Sequence, residues 1–416
     1  MIKDILLLQK REFEQRLLEP YVERDHPRSL FNDNDLIKVV IGPRRAGKSF
    51  FALHILSKMK SCGYVNLDDE RLTGITDFDD ILNPLDDVYG GPKHLLLDEI
   101  QNLPNWELLA NRLQRQNRRL LITGSNSNLL STELATHLTG RHQTILLFPF
   151  SFNEVLRLAG KELTESERKT RLERYAHEGG FPEPLVKNVE RNEYLKTLGN
   201  AVLYKDIVKR FGIRMPHGLE DLMHYCFSNI AKEFSYQNLA KVTRCRSFHT
   251  VEKYLGYMED AFLFFTVRRF SFKVREQAIF NKKIYCVDNG MTTALGFRFT
   301  PDEGRLLENL VAVVLHKKEL NHEVEIFFWR NSQNEEVDFV VKENLGVRQL
   351  IQVCGGLSEP KTLNREVRAL LKAGAELKCK DLLILNPDKE KTEIVEWFGL
   401  KGEIKYCPIW KWLCEN

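Results

Sequence analysis

"LIKVVIGPRRAGKSFFALHILSKM", residues 36–59, decides how the first part of this chain folds. An apolar, β-branched run ends at Gly42. The pattern GxxxxGKS follows over residues 42–49, and apolar residues then recur at Phe51, Leu53, Ile55 and Leu56. That recurrence has the period of a helix. Strand, glycine loop and helix in this order make a phosphate-binding loop. Gly42 and Gly47 let the backbone approach phosphate oxygens closely. The loop residues Pro43, Arg44, Arg45 and Ala46 and the first helical residues through Phe50 wrap the ligand. Backbone N–H groups along this stretch and the helix N-terminus supply positive potential. Lys48 is expected to reach the outer phosphates, and Ser49 to offer its hydroxyl to Mg²⁺. The ligands implied are ATP and Mg²⁺.

Working outward, a phosphate loop needs an acidic partner. "KHLLLDEI" (93–100) places Asp98 and Glu99 at the end of an apolar strand. Asp98 can hold the magnesium through water, and Glu99 can orient and polarise the attacking water. "RRLLITGSNSNLL" (118–130) is a further strand. Its polar end, Ser125-Asn126, suits a sheet edge facing the γ-phosphate, so Asn126 is a candidate catalytic residue; a helix cap is the alternative. In "ATHLTGRHQTILLFPFSFNEVL" (135–156), Arg141 closes a helix before another strand. It can contact a γ-phosphate in cis, reach a neighbour's nucleotide as a finger, or pair with carbonyls at the helix end.

The chain has 416 residues, which suggests two or three domains. Its 43% hydrophobic and 29% charged residues are those of a soluble globular protein. No apolar run reaches the ~18 residues of a spanning helix, and the first 17 residues read as an amphipathic helix rather than a signal peptide. The eight cysteines lack CxxC pairs or metal-ligand spacing. They are expected to be reduced thiols of a cytoplasmic protein.

The stretches above, with "GGFPEPL" (179–185) and "YLKTLGNAVLYKDIVKRF" (194–211), resemble a large prokaryotic group of AAA+-superfamily ATPases. These join an ATPase domain to a C-terminal DUF4143 region. The resemblance implies an α/β fold: a P-loop NTPase parallel sheet with a helical lid, a winged helix-turn-helix, and a restriction-endonuclease-like α/β domain. It also implies ATP hydrolysis. In related ATPases a Gly-x-Pro in the lid lies beside the adenine. Gly180 and Pro182 match it and are candidate base contacts; a proline opening a helix after a Gly-Gly turn is the alternative. The expected domains are 1–160 (ATPase), 161–218 (lid), 219–296 (winged helix) and 297–416 (nuclease-like).

Residues 241–283 hold ten Lys/Arg against four Asp/Glu. A short helix capped by Ser235, a turn, a second apolar-striped helix and two strand-like runs around a basic loop give the order helix-turn-helix plus wing. Arg244, Arg246, His249 and Lys253 open the second helix. Arg268, Arg269, Lys273 and Arg275 lie in the wing. This predicts double-stranded DNA contact through phosphates, with a protein contact as the alternative.

Residues 301–386 read as helix, three strands, helix, strand, the order of the PD-(D/E)xK nuclease core. Asp338 and Glu308 fit that family's acidic roles. In "LIQVCGG" (350–356), Gln352 stands where the second acid belongs and Cys354 where the lysine belongs. Mg²⁺ needs hard oxygen ligands, so nuclease chemistry is expected to be lost. The function expected is a Mg²⁺-dependent ATPase whose nucleotide state controls a DNA-associated winged helix, possible oligomers forming through Arg141. The alternatives are a nucleotide-gated protein-interaction switch and an ATP-dependent nuclease. No membrane role is expected.

Overall fold

The structure, a computed structural model, describes residues 2–26, 34–125, 138, 141–187, 189–245, 247–297, 302–355 and 360–416. The chain forms two compact units. The first comprises residues 1–150 with 185–187 and 260–262; the second comprises 151–184, 188–259 and 263–416.

The first unit is built on five parallel strands: β1 (Ile37–Ile41), β2 (Cys62–Asn66), β3 (His94–Asp98), β4 (Arg119–Gly124) and β5 (His142–Leu146), in the order β2-β3-β4-β1-β5. Strands β1, β3 and β4 are almost wholly buried, which is why they read as mostly apolar runs rather than alternating ones. β4 lies between β1 and β3, with Val40 opposite Thr123 and Leu97 opposite Ile122. Parallel pairing therefore brings the C-terminal ends of β1, β3 and β4 to one edge. The helix Lys48–Leu56 leaves that edge and buries Phe51, Ala52, Leu53, Ile55 and Leu56. The N-terminal helix Ile2–Arg16 buries Ile5, Leu6, Gln9 and Phe13, as its amphipathic pattern predicts.

The second unit begins with the helix Phe152–Arg157, capped by Ser151 with Glu154 reaching back to the Ser151 N–H. Its nine-stranded sheet contains β6 (Lys232–Phe234), β7 (Phe264–Arg269), β8 (Lys282–Cys286), β9 (Glu325–Arg330), β10 (Glu336–Glu343), β11 (Gly346–Val353), β12 (Leu382–Asn386), β13 (Lys391–Trp397) and β14 (Leu400–Pro408). The strand order is β13-β14-β12-β11-β10-β9-β7-β8-β6. Helices His217–Ser228, Tyr236–Val242 and Phe248–Asp260, with β6, β7 and β8, follow the order expected of the winged helix. The helix Glu303–Leu320, strands β9–β11, the helix Pro360–Leu377 and β12 follow the expected nuclease-like order.

The two units and the sheet cut across the four expected domains without retracing their borders. A border at residue 296 is absent from the sheet, because β7 pairs in parallel with β9, Arg268 opposite Phe327 and Arg269 opposite Phe328. Backbone hydrogen bonding across a presumed linker makes one sheet of two expected domains. Most of residues 161–218 likewise belongs to the second unit. There "GGFP" locks onto "VDNG" (287–290): the Gly180 N–H donates to Asp288 at 2.6 Å. A Cβ on Gly179 would stand 2.1 Å from the Asp288 carboxylate, and one on Gly290 would stand 2.4 Å from the Glu178 carbonyl. These two close approaches require glycine.

Candidate nucleotide site and the acid cluster of the second unit

At the C-terminal edge of the five-stranded sheet, Gly42 passes so close to β5 that a Cβ would fall 1.9 Å from the Leu147 carbonyl. Gly47 has φ 92°, in the left-handed region that glycine occupies without strain. Pro43 and Ala46 are buried, and Arg45 is exposed. Arg44 approaches Asp68 at 4.0 Å. The Lys48 side chain is buried, and its ammonium donates to the Pro43 carbonyl at 2.8 Å, across the loop. Phe50 meets His54 edge-on at 4.7 Å between ring centres, and Tyr21 stacks on His54 at 3.9 Å.

Asp98 ends β3 at 3% exposure. It accepts hydrogen bonds from the Thr123 hydroxyl and, at 3.4 Å, from the Tyr64 hydroxyl, and Ser49 lies near enough to act on its charge. Burial, then the charge of Glu99, pushes its carboxyl up to about 6, with Thr123, Ser49 and Lys48 pulling it back. A buried carboxylate held in this way favours a nearby cation. One carboxylate and one hydroxyl, the remaining places left to water and phosphate, suit Mg²⁺. Glu99 sits at φ 53°, a conformation uncommon for a residue with a side chain. Its N–H donates to Thr123 Oγ1 at 2.9 Å, and its Oε2 accepts from Ser125 Oγ at 3.2 Å and from Gln101. The Thr123 hydroxyl thus links the Asp98 carboxylate to the Glu99 backbone.

Thr123 was not among the residues that sequence reasoning singled out. Its one signal was a polar side chain inside "LLITG", at a position that β-strand pairing sets beside Asp98. Arg24 was also missed. It is 6% exposed, donates to the Ala46 carbonyl at 2.9 Å and to the Phe148 carbonyl at 2.5 Å, and lies 4.8 Å from the Phe150 ring centre. It braces the phosphate loop from a segment whose sequence carries no motif.

Lys48, Ser49, Asp98 and Glu99 come together as their spacing predicts. Asn126 lies outside the described residues. Arg141 is placed elsewhere: it precedes β5, whose first residue, His142, pairs with Ile37 at the N-terminal end of β1. From there to Leu147, beside Gly42, the chain runs along the whole strand, about 20 Å. The exposed Arg141 therefore cannot reach a phosphate held by its own loop, and the cis role expected as one option is ruled out. Gly180 and Pro182 belong to the second unit, where the Gly180 N–H is taken by Asp288 and Pro182 opens the helix Pro182–Val186.

The sequence matches an AAA domain over residues 34–156, a domain of unknown function termed DUF8612 over 169–302, and another, DUF4143, over 303–409. The protein MJ1544 of Methanocaldococcus jannaschii is 33% identical over 399 residues, covering 90% of this chain and 88% of its own length. The chain belongs to the AAA-domain family with a C-terminal DUF4143 region. A Haemophilus influenzae protein is 28% identical over 330 residues, covering 75% of this chain and 81% of its own. Among solved structures, a Walker-type ATPase of Pyrococcus abyssi is similar at TM-score 0.42 and 16% identity, over 69% of this chain and 95% of its own. AMPPCP-bound DnaA from Aquifex aeolicus is similar at TM-score 0.27 and 14% identity, over 56% of this chain and 84% of its own.

The DUF4143 region holds a second buried acid cluster. Asp338 on β10 is 5% exposed, and Glu308 on the helix Glu303–Leu320 is 9% exposed. Between them lies an ammonium. Lys283, from β8, is 2% exposed and places Nζ 2.9 Å from Glu308, 3.2 Å from Asp338 and 2.6 Å from Glu336. The Tyr285 hydroxyl donates to Glu308 at 2.6 Å. Asp338 also accepts from the Val353 N–H at 3.0 Å, and its own N–H donates to Gln352 Oε1 at 3.2 Å. Gln352 therefore braces the β10–β11 pairing. Cys354 is buried, and burial pushes its thiol up to about 12. In the sequence Lys283 is the last residue of the basic stretch 241–283. In the structure it is an interior residue, so the excess of charge over 241–283 is not all available at the surface. Arg244 is paired with Asp221 at 2.5 Å, and Arg269 donates to the Arg330 carbonyl.

Proposed function

We propose that this protein is a Mg²⁺-dependent ATPase whose hydrolytic base is Glu99. The observation that carries this reading is the arrangement at the sheet edge. Asp98 and Ser49 stand near each other for the ion, while Glu99, one residue on, is fixed by its N–H on Thr123 and by its carboxylate on Ser125 and Gln101. ATP sits along residues 42–50, with Lys48 swinging from the Pro43 carbonyl to the outer phosphates. Bound Mg²⁺ would neutralise phosphate charge. Glu99 accepts a proton from water as the water oxygen bonds to the γ-phosphorus. The bond from that phosphorus to the β–γ bridging oxygen breaks, leaving ADP and phosphate. Arg141, too far from its own loop, serves a second copy of the chain as a finger.

Lys48→Ala should abolish tight ATP binding, because the outer phosphates lose their fixed cation. Glu99→Gln should keep ATP binding and slow turnover by about 10²–10⁴-fold. Nucleotide binding by fluorescence and phosphate release in single turnover separate the two. Wild-type turnover in Glu99→Gln would remove the residue from this role.

We propose further that nucleotide state governs DNA contact through the helix-turn-helix region. Support comes from basic side chains that remain at the surface: His249 and Lys253 on the helix Phe248–Asp260, and Lys273 and Arg275 between β7 and β8. Stimulation of ATP turnover by double-stranded DNA tests it; equal turnover with and without DNA favours the protein-interaction switch.

A further inference from the structure

Much of the charge in the basic stretch 241–283 is spent within the fold. Lys283 is interior, and Arg244 and Lys273 pair with Asp221 and Glu276. A further set of cations stands outside that stretch. "KRFGIR" (209–214) carries three basic residues and no acidic one, and Lys209, Arg210 and Arg214 are all exposed. It follows the π-helical turn Val202–Val208 and precedes the helix His217–Ser228, the first of the helix-turn-helix region. We propose that residues 209–214 form a phosphate-binding strip that grips one DNA duplex together with the helix Phe248–Asp260. This rests on the DNA reading of the helix-turn-helix region and extends it to residues which that reading leaves unused.

Two rings join the strip to the helix. Phe211 stacks on Tyr257 with 3.6 Å between ring centres and 11° between planes. The Arg210 guanidinium lies 5.4 Å from the Phe211 ring centre, and the Lys253 ammonium lies 5.7 Å from that of Tyr257. Stacked rings attract, and so do cations over ring faces. One cation from each segment is thereby set on a single aromatic pair. Both rings are half-buried, while both cations are exposed. Backbone hydrogen bonds fix the strip itself. The N–H groups of Lys209, Phe211 and Ile213 donate to the carbonyls of Tyr204, Ile207 and Val208 at 3.0, 2.9 and 3.0 Å. The Tyr204 hydroxyl donates to Glu220, tying the same turn to the helix His217–Ser228. Among the described residues, no ion pair engages Lys209, Arg210, Arg214 or Lys253. Their charge stays available at the surface.

The second helix of a helix-turn-helix lies in the major groove. A helix with its side chains is about 10–12 Å across, and the groove is about 12 Å wide. The helix therefore fills the groove, and whatever packs on its flank meets the phosphates at the rim. Phe211, stacked on Tyr257, brings the strip to such a flank. The chemistry fits phosphate better than a protein partner. Surfaces that bind DNA are far more positively charged than protein-docking surfaces, whose centres are poor in charge. The strip reads no base, so it holds duplexes of any sequence alike.

Full-length wild type, Lys209→Glu/Arg210→Glu/Arg214→Glu, Lys253→Glu and Phe211→Ala are compared for binding to a labelled duplex. Fluorescence anisotropy is followed over a range of salt, with and without ATP. The triple reversal should weaken binding by about tenfold or more and lower the salt slope by about two to three. Phe211→Ala keeps every charge but frees the strip from the helix, and should weaken binding several-fold, with Phe211→Tyr restoring it. Circular dichroism checks the fold of each variant; should Phe211→Ala fail to fold, the triple reversal decides alone. A triple reversal that binds like wild type, while Lys253→Glu binds weakly, overturns the strip and leaves the DNA reading standing. Weaker binding with an unchanged salt slope gives the cations a structural role and also overturns the strip. Wild type that binds no duplex in either nucleotide state overturns both.

Discussion

The molecule holds two buried sites made of the same residue types, and they have opposite characters. In the first unit, Lys48 points its ammonium at the Pro43 carbonyl, while the Asp98 carboxylate is held by the hydroxyls of Thr123 and Tyr64 and that of Glu99 by the Ser125 hydroxyl and the Gln101 amide. In the second, Lys283 lies directly on Glu308, Glu336 and Asp338. Neutral donors fix a carboxylate in place without cancelling its charge, so it can still attract a cation or take a proton. An ammonium at hydrogen-bond distance cancels the charge and occupies the space. A lysine beside acids therefore says little about activity until its nitrogen has been located.

The sharpest way to break this contrast is to ask whether the first site is open enough to need help from outside. If Arg141 completes the site of a second copy, Arg141→Ala should reduce turnover by about 10³-fold or more, and wild-type specific activity should rise with protein concentration. Mixing Arg141→Ala with Lys48→Ala should restore part of the activity, since each supplies what the other lacks. Absence of rescue, with activity independent of concentration, would make the first site as self-contained as the second.

Replacing the two lysines tests the contrast directly. Lys283→Met leaves carboxylates buried without their cation and should cost about 3–5 kcal/mol of stability. Lys48→Met removes a hydrogen bond to a carbonyl and should cost about 1–2 kcal/mol, while losing ATP. Urea unfolding midpoints read both. Equal costs would mean that the two lysines play the same part.

A smaller effect is expected where the same basic stretch divides into interior and surface. Arg269 and Lys283 are engaged within the fold, whereas Lys253, Lys273 and Arg275 are exposed, Lys273 pairing with Glu276 at the surface at 3.0 Å. Reversing the three exposed residues to glutamate should weaken DNA binding alike for unrelated sequences and lower its salt dependence by about one counterion per lost phosphate contact. Unchanged affinity would mean that the exposed charges, too, serve the protein rather than a nucleic acid.

The contrast also marks how far the residues could be read in advance. Gly42 through Ser49 was legible because strand, loop and helix are contiguous, and each local preference agrees with the next. Asp98-Glu99 was legible because an apolar run ending in two acids has few other uses beside such a loop. The order of elements in the second unit was legible for the same reason. That one sheet spans residue 296 was not, because the β7–β9 pairing joins residues about 60 apart and leaves no local trace. Arg141 was recognisable as a candidate, but its reach depends on the register of β5 against β1, which no motif encodes.

By itself, then, the sequence determined the phosphate loop, its acidic partner, and the succession of helices and strands that carries both sites. All of these follow from short-range periodicity and glycine geometry. Only the tertiary structure decided what each charged side chain does. Thr123 reaches Asp98 across 25 residues, Arg24 reaches Phe148 across 124, and Lys283 reaches Asp338 across 55. The physical reason is that a buried charge must find its partner wherever strand pairing delivers one. Pairing is set by the packing of whole sheets, not by the residues on either side.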